Sequence, residues 1–419
     1  MKNILEHSKK FGIYFSTSLL NQLIPFLMLP ILTHYLSVSD YGNITLFQTF
    51  MAFGIPLISM SLTRQLDKYF FVKDKKFIGK LIFQIFIIFH IMSLILILLL
   101  LISSYFIIFP FETYWIYLLI FLSLSTSINL FIAVLLRNLQ KTSLYAIFLI
   151  LQTIINIGLS VLLIVVLDYN YEGRFLGIIV SAFLATFISL YLLYKYKWIE
   201  FQIDIKLLLK IWKVSLPMIP FGIATVVITM SDIVFIKEMC NIEMVGIYAI
   251  GLLFGKTIML VQSSVTNISE PWVLKQISLN TSDAVVKISY FIVAYHFVII
   301  LLVFIMSYIS YFAIDIMVDE KFYQGKEFVF IIMTGYAIRG LQMMFTPFLI
   351  YKNKTNFMAL NTVFAAILNL ILNYYFILQY GAIGAAYATA TTFLLSYVSM
   401  IIYTQKVYPL KFKRVNSDK

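Results

Sequence analysis

Apolar runs of about 20 residues recur along nearly the whole chain, and that recurrence leaves few folds open. A helix crossing a bilayer needs about 20 mostly apolar residues. Lipid offers no partner to a backbone N–H or C=O, so the spanning segment must satisfy its own. Read with that window, the 419 residues hold twelve candidate spans. They lie near 11–33, 44–63, 81–106, 115–136, 144–167, 175–194, 214–236, 245–266, 288–309, 328–350, 356–377 and 382–404. The expectation is an all-α polytopic membrane protein. Hydrophobic residues make up 62% and charged residues only 12%, where a soluble chain carries roughly a quarter charged. Disorder, a conventional soluble enzyme and a nucleic-acid-binding domain are excluded, so the formal charge of +12 needs another explanation. A single cysteine, Cys240, can build neither an intramolecular disulfide nor a Cys-based metal site. The first apolar stretch is long enough to span and carries no clear small-residue cleavage site, so it reads as a helix.

The charge is explained by where it falls. Cytoplasmic loops of membrane proteins are enriched in Lys and Arg. With the N-terminus placed in the cytoplasm, 25 of the 31 basic residues fall on that side. Four fall in outer loops: Arg174, Lys237, Lys321 and Lys326. Acids such as Asp40, Glu112, Asp168, Glu172, Asp319 and Glu320 mark the outer side. Both termini are therefore expected in the cytoplasm, and the +12 is chiefly an orientation signal, aided by attraction to anionic lipids.

The longest cytoplasmic connection, 195–213, sits near the centre of the chain with six spans on each side. It alternates apolar and charged residues and then reads as a short amphipathic helix. The expected organisation is an N-terminal six-helix bundle over 1–194, a cytoplasmic linker over 195–213, and a C-terminal six-helix bundle with a basic tail over 214–419. The even split prompts a search for matching features. Leu36-Ser-Val-Ser-Asp-Tyr-Gly42 and Asn241-Ile-Glu-Met-Val-Gly246 are polar loops with a glycine opening the next helix. Spans one and seven each carry a proline pair, Pro25 with Pro30 and Pro217 with Pro220. Proline removes a backbone donor and bends a helix, and interrupted spans at matching places in two halves point to a transport pathway. Ordinary packing kinks are the other reading.

Charges inside spans are costly, roughly 2.5–3.5 kcal/mol each on insertion scales, so those present ask for a reason. Lys256, Arg339 and Asp232 lie within spans eight, ten and seven, all in the second half. Thr225, Thr229 and Asp232 share one helical face, as do Lys256, Ser263 and Asn267, and Thr362, Asn369 and Asn373. These stripes suggest a polar lumen. Alternatively, Asp232 and Lys256 form a buried salt bridge, which leaves Arg339 without an intramembrane acid and free to face substrate. Arg64 and Arg137, at the cytoplasmic ends of spans two and four, are either anchors that snorkel to the interface or guanidinium donors to a diphosphate head group. His90 and His296 read as packed or lipid-edge histidines. The run Gly381-Ala-Ile-Gly-Ala-Ala386 allows close helix packing. No phosphate-cradling loop, zinc motif, nucleophile elbow or paired acids in a large outer loop occurs. No enzymatic activity, cofactor or metal site is expected.

Four stretches resemble the O-antigen and polysaccharide flippases (Wzx type), polysaccharide transporters of the multidrug/oligosaccharidyl-lipid/polysaccharide exporter superfamily. They are Pro30-Ile-Leu-Thr-His-Tyr-Leu-Ser-Val-Ser-Asp-Tyr-Gly42, Leu216-Pro-Met-Ile-Pro220 followed by Ser231-Asp232, Glu243-Met-Val-Gly-Ile-Tyr248, and Asn369-Leu-Ile-Leu-Asn373 through Tyr380-Gly-Ala-Ile-Gly-Ala-Ala386. The resemblance implies a MATE-like fold of two six-helix bundles around a V-shaped cavity. It implies a lipid-linked oligosaccharide substrate, an undecaprenyl-diphosphate repeat unit moved from the cytoplasmic to the periplasmic leaflet of a bacterial inner membrane by alternating access. It also implies cationic lumen residues, matched here by Lys256 and Arg339 and by Arg64 and Arg137. A polysaccharide polymerase and a chain-length regulator are the protein partners such a role brings, beside membrane lipids and without nucleic acid. The runner-up reading is an ion-coupled small-molecule exporter of the same fold, its cation site centred on Asp232. A membrane polymerase or glycosyltransferase is disfavoured by the short 310–327 loop.

Overall fold

The computed structural model describes residue 24 and residues 26–103, 111–279 and 281–410. Pro25, most of the first expected span and the last nine residues of the basic tail lie outside the described residues. Among the described residues the secondary structure is helical. Eleven segments among the described residues are long and apolar enough to cross a membrane. Each overlaps one of the expected spans two to twelve. A shorter apolar helix, α1 (Phe26–Tyr35), covers the end of the first.

The chain divides into two compact units, Met1–Ile223 and Ala224–Lys419. The first holds α1, α2 (Val38–Ser59), α3 (Thr63–Phe70), α4 (Lys75–Ser103), α5 (Thr113–Asn138), α6 (Thr142–Val161, extended by a π turn at Leu162–Val166), α7 (Asn170–Lys195) and α8 (Ile205–Ser215). α9 (Met218–Met239) starts in this unit and ends in the second. The second unit continues with α10 (Ile242–Gly255), α11 (Ile258–Leu279), α12 (Ser282–Met317), α13 (Lys326–Met343), α14 (Thr346–Tyr351), α15 (Thr355–Tyr380) and α16 (Ile383–Val407).

The two matched polar loops are helix starts. Ser37 caps α2 in a reciprocal box: its Oγ accepts from the Asp40 N–H at 3.0 Å, and the Asp40 carboxylate accepts from the Ser37 N–H. Asn241 caps α10, its Oδ1 accepting from the Met244 N–H at 2.7 Å. Such caps satisfy donors that a helix leaves open at its N-terminus. In the first unit an aromatic cluster packs α2 on α7, with Phe47 stacked on Phe175 at 3.9 Å and Trp115 of α5 edge-on to both.

Small residues set the closest approaches, as expected where lipid supplies no hydrophobic drive between helices. Gly251 and Gly255 of α10 press on Phe328 and Ile332 of α13, where an added Cβ would come within 2.7 and 2.6 Å. Gly381 ends α15 at φ +68°, a conformation that favours glycine. A Cβ at Gly384 would strike the Phe376 carbonyl oxygen.

The proline expectation needs correction. Pro217 precedes α9 and Pro220 lies in its first turn, where the missing N–H has no intrahelical acceptor in any case. The chain turns at Leu216–Pro217, so the break falls at the start of span seven and not in its middle. The mid-span interruption in this region lies one span later, between α10 and α11 at Lys256 and Thr257, a site without proline.

Candidate functional site

Two polar constellations form inside the second unit. The first surrounds Asp232 of α9, which is only 2% exposed. Its carboxylate accepts from the Tyr248 hydroxyl at 2.7 Å, the Asn373 Nδ2 at 3.0 Å and the Thr389 hydroxyl at 2.9 Å. The network extends outward. Ser231 donates to the Asn369 Oδ1 at 2.9 Å, Asn373 also donates to that oxygen at 3.2 Å, and Asn369 donates to Thr389 at 3.3 Å. Asn369 and Asn373, one turn apart on α15, are both fully buried, as a face shared at i and i+4 allows. Four helices, α9, α10, α15 and α16, thus converge on one carboxylate through neutral donors. The Asn373 Oδ1 is buried without a hydrogen-bond partner.

The second constellation holds the two intramembrane cations. Lys256 follows Gly255 where α10 stops, its N–H bonded to the Leu252 carbonyl at 3.0 Å. Thr257 returns its hydroxyl to the Phe254 carbonyl at 2.7 Å, so the break takes care of carbonyls the next turn would have used. A cation suits this place, because the end of a helix carries partial negative charge. The Lys256 Nζ lies 5.4 Å from the Tyr336 ring centre, and the Arg339 guanidinium 5.3 Å from that of Phe393. Tyr336 and Phe393 meet edge to face at 5.5 Å. Two half-buried cations therefore flank a buried aromatic pair, each within the reach of a cation–π contact.

Neither cation has a carboxylate partner among the described residues, and no ion pair joins Asp232 to Lys256. Asp232 and Lys256 thus form no contact bridge: the Asp232 oxygens take hydrogen bonds from Tyr248, Asn373 and Thr389, and Lys256 feels that carboxylate only across a gap. Beside this constellation Gln262 of α11 donates to the Ala337 carbonyl at 2.8 Å and fills the space that Gly340 leaves.

The remaining two candidates lie in the first unit, exposed and away from any such cluster. Arg64 begins α3 after a turn through Met60 and Ser61 at φ 45° and 54°. Arg137 ends α5 and reaches Asp67 at 3.6 Å, an acid that also accepts from Asn138 at 2.7 Å.

Arg174 departs from its expected place. It sits in the second turn of α7 rather than in an outer loop, half-buried, and its Nη1 donates to the Asn156 Oδ1 and, at 2.7 Å, to the Ser160 hydroxyl of α6. Gly177 leaves the room that Ser160 occupies. The Arg174 Nε is buried without a partner. The window that placed Arg174 outside began at Phe175, five residues after the helix starts at Asn170. Tyr248, Thr389, Tyr336 and Phe393 are the other functional candidates missed, since tyrosines, threonines and phenylalanines are ordinary in apolar spans.

A family model described as "Polysaccharide biosynthesis protein" matches residues 8–275. A Haemophilus influenzae protein, "Lsg locus putative protein 1", is 33% identical over 64 residues, a match spanning 15% of this chain and 16% of that protein. Among solved structures, the lipid II flippase MurJ in an inward closed conformation aligns with TM-score 0.67 and 15% identity, covering 94% of this chain and 87% of that one. An inward-facing multidrug resistance MATE family transporter of the MOP superfamily aligns with TM-score 0.62 and 14% identity, covering 92% and 94%. A mutant of the MATE transporter VcmN of Vibrio cholerae aligns with TM-score 0.54 and 15% identity, covering 95% and 94%. At these identities the likeness establishes the fold, an all-α multi-pass membrane architecture shared with MATE and MurJ transporters.

Proposed function

The chain belongs to the polysaccharide biosynthesis protein family, and from that premise we propose that it is a flippase for a lipid-linked oligosaccharide. The proposed substrate is an undecaprenyl-diphosphate repeat unit, carried by alternating access from the cytoplasmic to the periplasmic leaflet of a bacterial inner membrane for O-antigen or another surface polysaccharide. The observation that carries this reading is the pair Lys256 and Arg339, two half-buried cations with no contact ion pair among the described residues. A charge kept inside a span at a cost of several kcal/mol needs a compensating anion, and a diphosphate supplies one. The Arg339 fork suits bidentate contact with phosphate oxygens, and Lys256 adds a point charge. Tyr336 and Phe393, themselves buried, lie within cation–π reach of the two cations. The prenyl tail stays in lipid. Both termini are placed in the cytoplasm on the distribution of Lys and Arg. A polysaccharide polymerase and a chain-length regulator would receive the product.

Complementation tests this. In a strain lacking the gene, Arg339→Ala and Lys256→Ala, each at normal protein level, should strongly reduce surface polysaccharide. Wild-type polysaccharide from both would sink the assignment.

A second reading concerns coupling, and the Asp232 network favours it. One carboxylate beside amide and hydroxyl oxygens, with the Asn373 Oδ1 unpartnered, is an all-oxygen donor set. Such a set suits a proton or one hard monovalent cation, and a single acid leaves a monovalent ion neutralised. This site could drive the flippase or, in the alternative, an ion-coupled small-molecule exporter of the same fold. Drug sensitivity on deletion with intact polysaccharide would favour the exporter.

A further inference from the structure

The element joining the two spanning bundles is built for a surface that neither transport reading uses. Residues 196–202 run along the first turns of α4. Lys75 donates to the Tyr196 carbonyl at 2.9 Å, the Glu200 N–H to the Gly79 carbonyl at 3.2 Å, and Gln84 to the Gln202 carbonyl at 2.7 Å. Lys75 also lies 4.9 Å from the Trp198 ring centre. This is the lysine-bearing end of α4, a helix of 29 residues. At 1.5 Å per residue it measures about 43 Å, well beyond a hydrocarbon core of about 30 Å. Its first turns, with the linker docked on them, therefore extend into the headgroup layer.

α8 follows, capped by Asp204, whose Oδ1 accepts from the Leu207 N–H at 2.9 Å. At 100° per residue its side chains sort into three arcs. Leu207, Ile211 and Ser215 are buried, and Leu207 and Ile211 join the apolar core of the first unit. Lys206, Lys210 and Lys213 form an exposed basic stripe. Between these arcs, Ile205, Leu209 and Leu216 are also exposed, with Leu209 at 60%. The extended stretch before α8 continues the apolar edge, with Phe201 and Ile203 exposed at 74% and 65%. A helix with one docked face, one bare apolar face and one lysine face matches a bilayer boundary, where acyl chains meet the apolar face and headgroups the lysines.

We infer that residues 201–216 form a lipid-reading surface that binds anionic phospholipid headgroups through Lys206, Lys210 and Lys213 while Phe201, Ile203, Ile205, Leu209 and Leu216 enter the acyl boundary. Charge complementarity selects this occupant, since each lysine near an anionic surface adds attraction that a zwitterionic lipid does not. Mere apolar insertion would not discriminate between headgroups.

The test uses the full chain, delipidated and then titrated with phosphatidylglycerol or phosphatidylcholine of identical acyl chains, with lipid retention read by native mass spectrometry. The parent should retain phosphatidylglycerol at least about threefold more tightly. The triple variant Lys206→Gln, Lys210→Gln, Lys213→Gln should lose that preference. A control with the same change in net charge, Lys275→Gln, Lys287→Gln, Lys354→Gln, should keep it. Loss of preference in both triples, or none in either, would overturn the inference. As a second measurement, a bimane at Leu209→Cys in a Cys240→Ser background should be quenched by brominated phosphatidylglycerol in vesicles. Quenching by aqueous iodide alone would place the helix in water and overturn it equally.

Discussion

The second unit holds two answers to the problem of charge in a membrane. Asp232 is sealed: three neutral donors from three helices address its oxygens, and it is out of contact with solvent. Lys256 and Arg339 are left open: each lies within cation–π reach of a ring, yet neither makes a contact ion pair among the described residues, and Asp232 attracts Lys256 only across a gap. A sealed charge holds helices in place, and removing it strands its donors. An open charge contributes little to packing and awaits a partner from outside the chain. The contrast separates residues whose loss should unfold the unit from residues whose loss should only silence it.

The sharpest way to break this comparison is Asp232→Ala. It strands the Tyr248, Asn373 and Thr389 donors together, and a buried donor left unsatisfied costs about 1–3 kcal/mol. Thermal unfolding in detergent should shift down by many degrees and yield should fall. Asp232→Asn keeps the volume and should recover much of the folded yield; transport that stays absent in this variant would tie the carboxylate to ion coupling as well as to structure. Next in size, Gly340→Ala should drive the Gln262 carboxamide off the Ala337 carbonyl, since the new Cβ would overlap it. A loss of about 1–3 kcal/mol, read as a lowered melting temperature, is expected. Arg339→Lys sharpens the open side: melting should stay near the parent while surface polysaccharide falls, because an ammonium lacks the guanidinium fork. Unchanged polysaccharide would reduce Arg339 to a simple charge. The smallest effect belongs to Arg137→Ala, whose exposed contact with Asp67 at 3.6 Å resembles surface pairs of little net value. Both melting and polysaccharide should change little. A large polysaccharide loss would restore Arg137 to the substrate path.

Much of the architecture was legible in the sequence because lipid imposes a single rule, and hydropathy reads it directly. The helices nonetheless run past the apolar windows: α12 extends to Met317 and α4 begins at Lys75, since polar end turns remain helical outside the hydrocarbon. Asp232, Asn369 and Asn373 could be picked out because polar side chains one turn apart in an apolar run are conspicuous. Their partners could not. Tyr248 and Thr389 look like any tyrosine or threonine in a span until the fold turns their hydroxyls toward the carboxylate. The pair Pro217 and Pro220 misled for a related reason. A proline in the first turn of a helix and one in its middle read alike in a sequence, and only the helix start at Met218 tells them apart. Arg174 was lost the same way, because α7 starts at Asn170, five residues before its apolar window.

The break after Gly255 fixes more than the position of one lysine. Gly251 and Gly255 face α13 with no room for a side chain, and Lys256 comes directly after. Adding or deleting one residue within α10 would rotate everything beyond it by about 100°. A larger residue would then meet α13, or the ammonium would swing away from Tyr336. Relatives that keep this arrangement should therefore align from Asn241 to Thr257 without a gap, and length variation should collect in the turns outside it. The spacing of this segment is then a stricter signature than the identity of most residues within it.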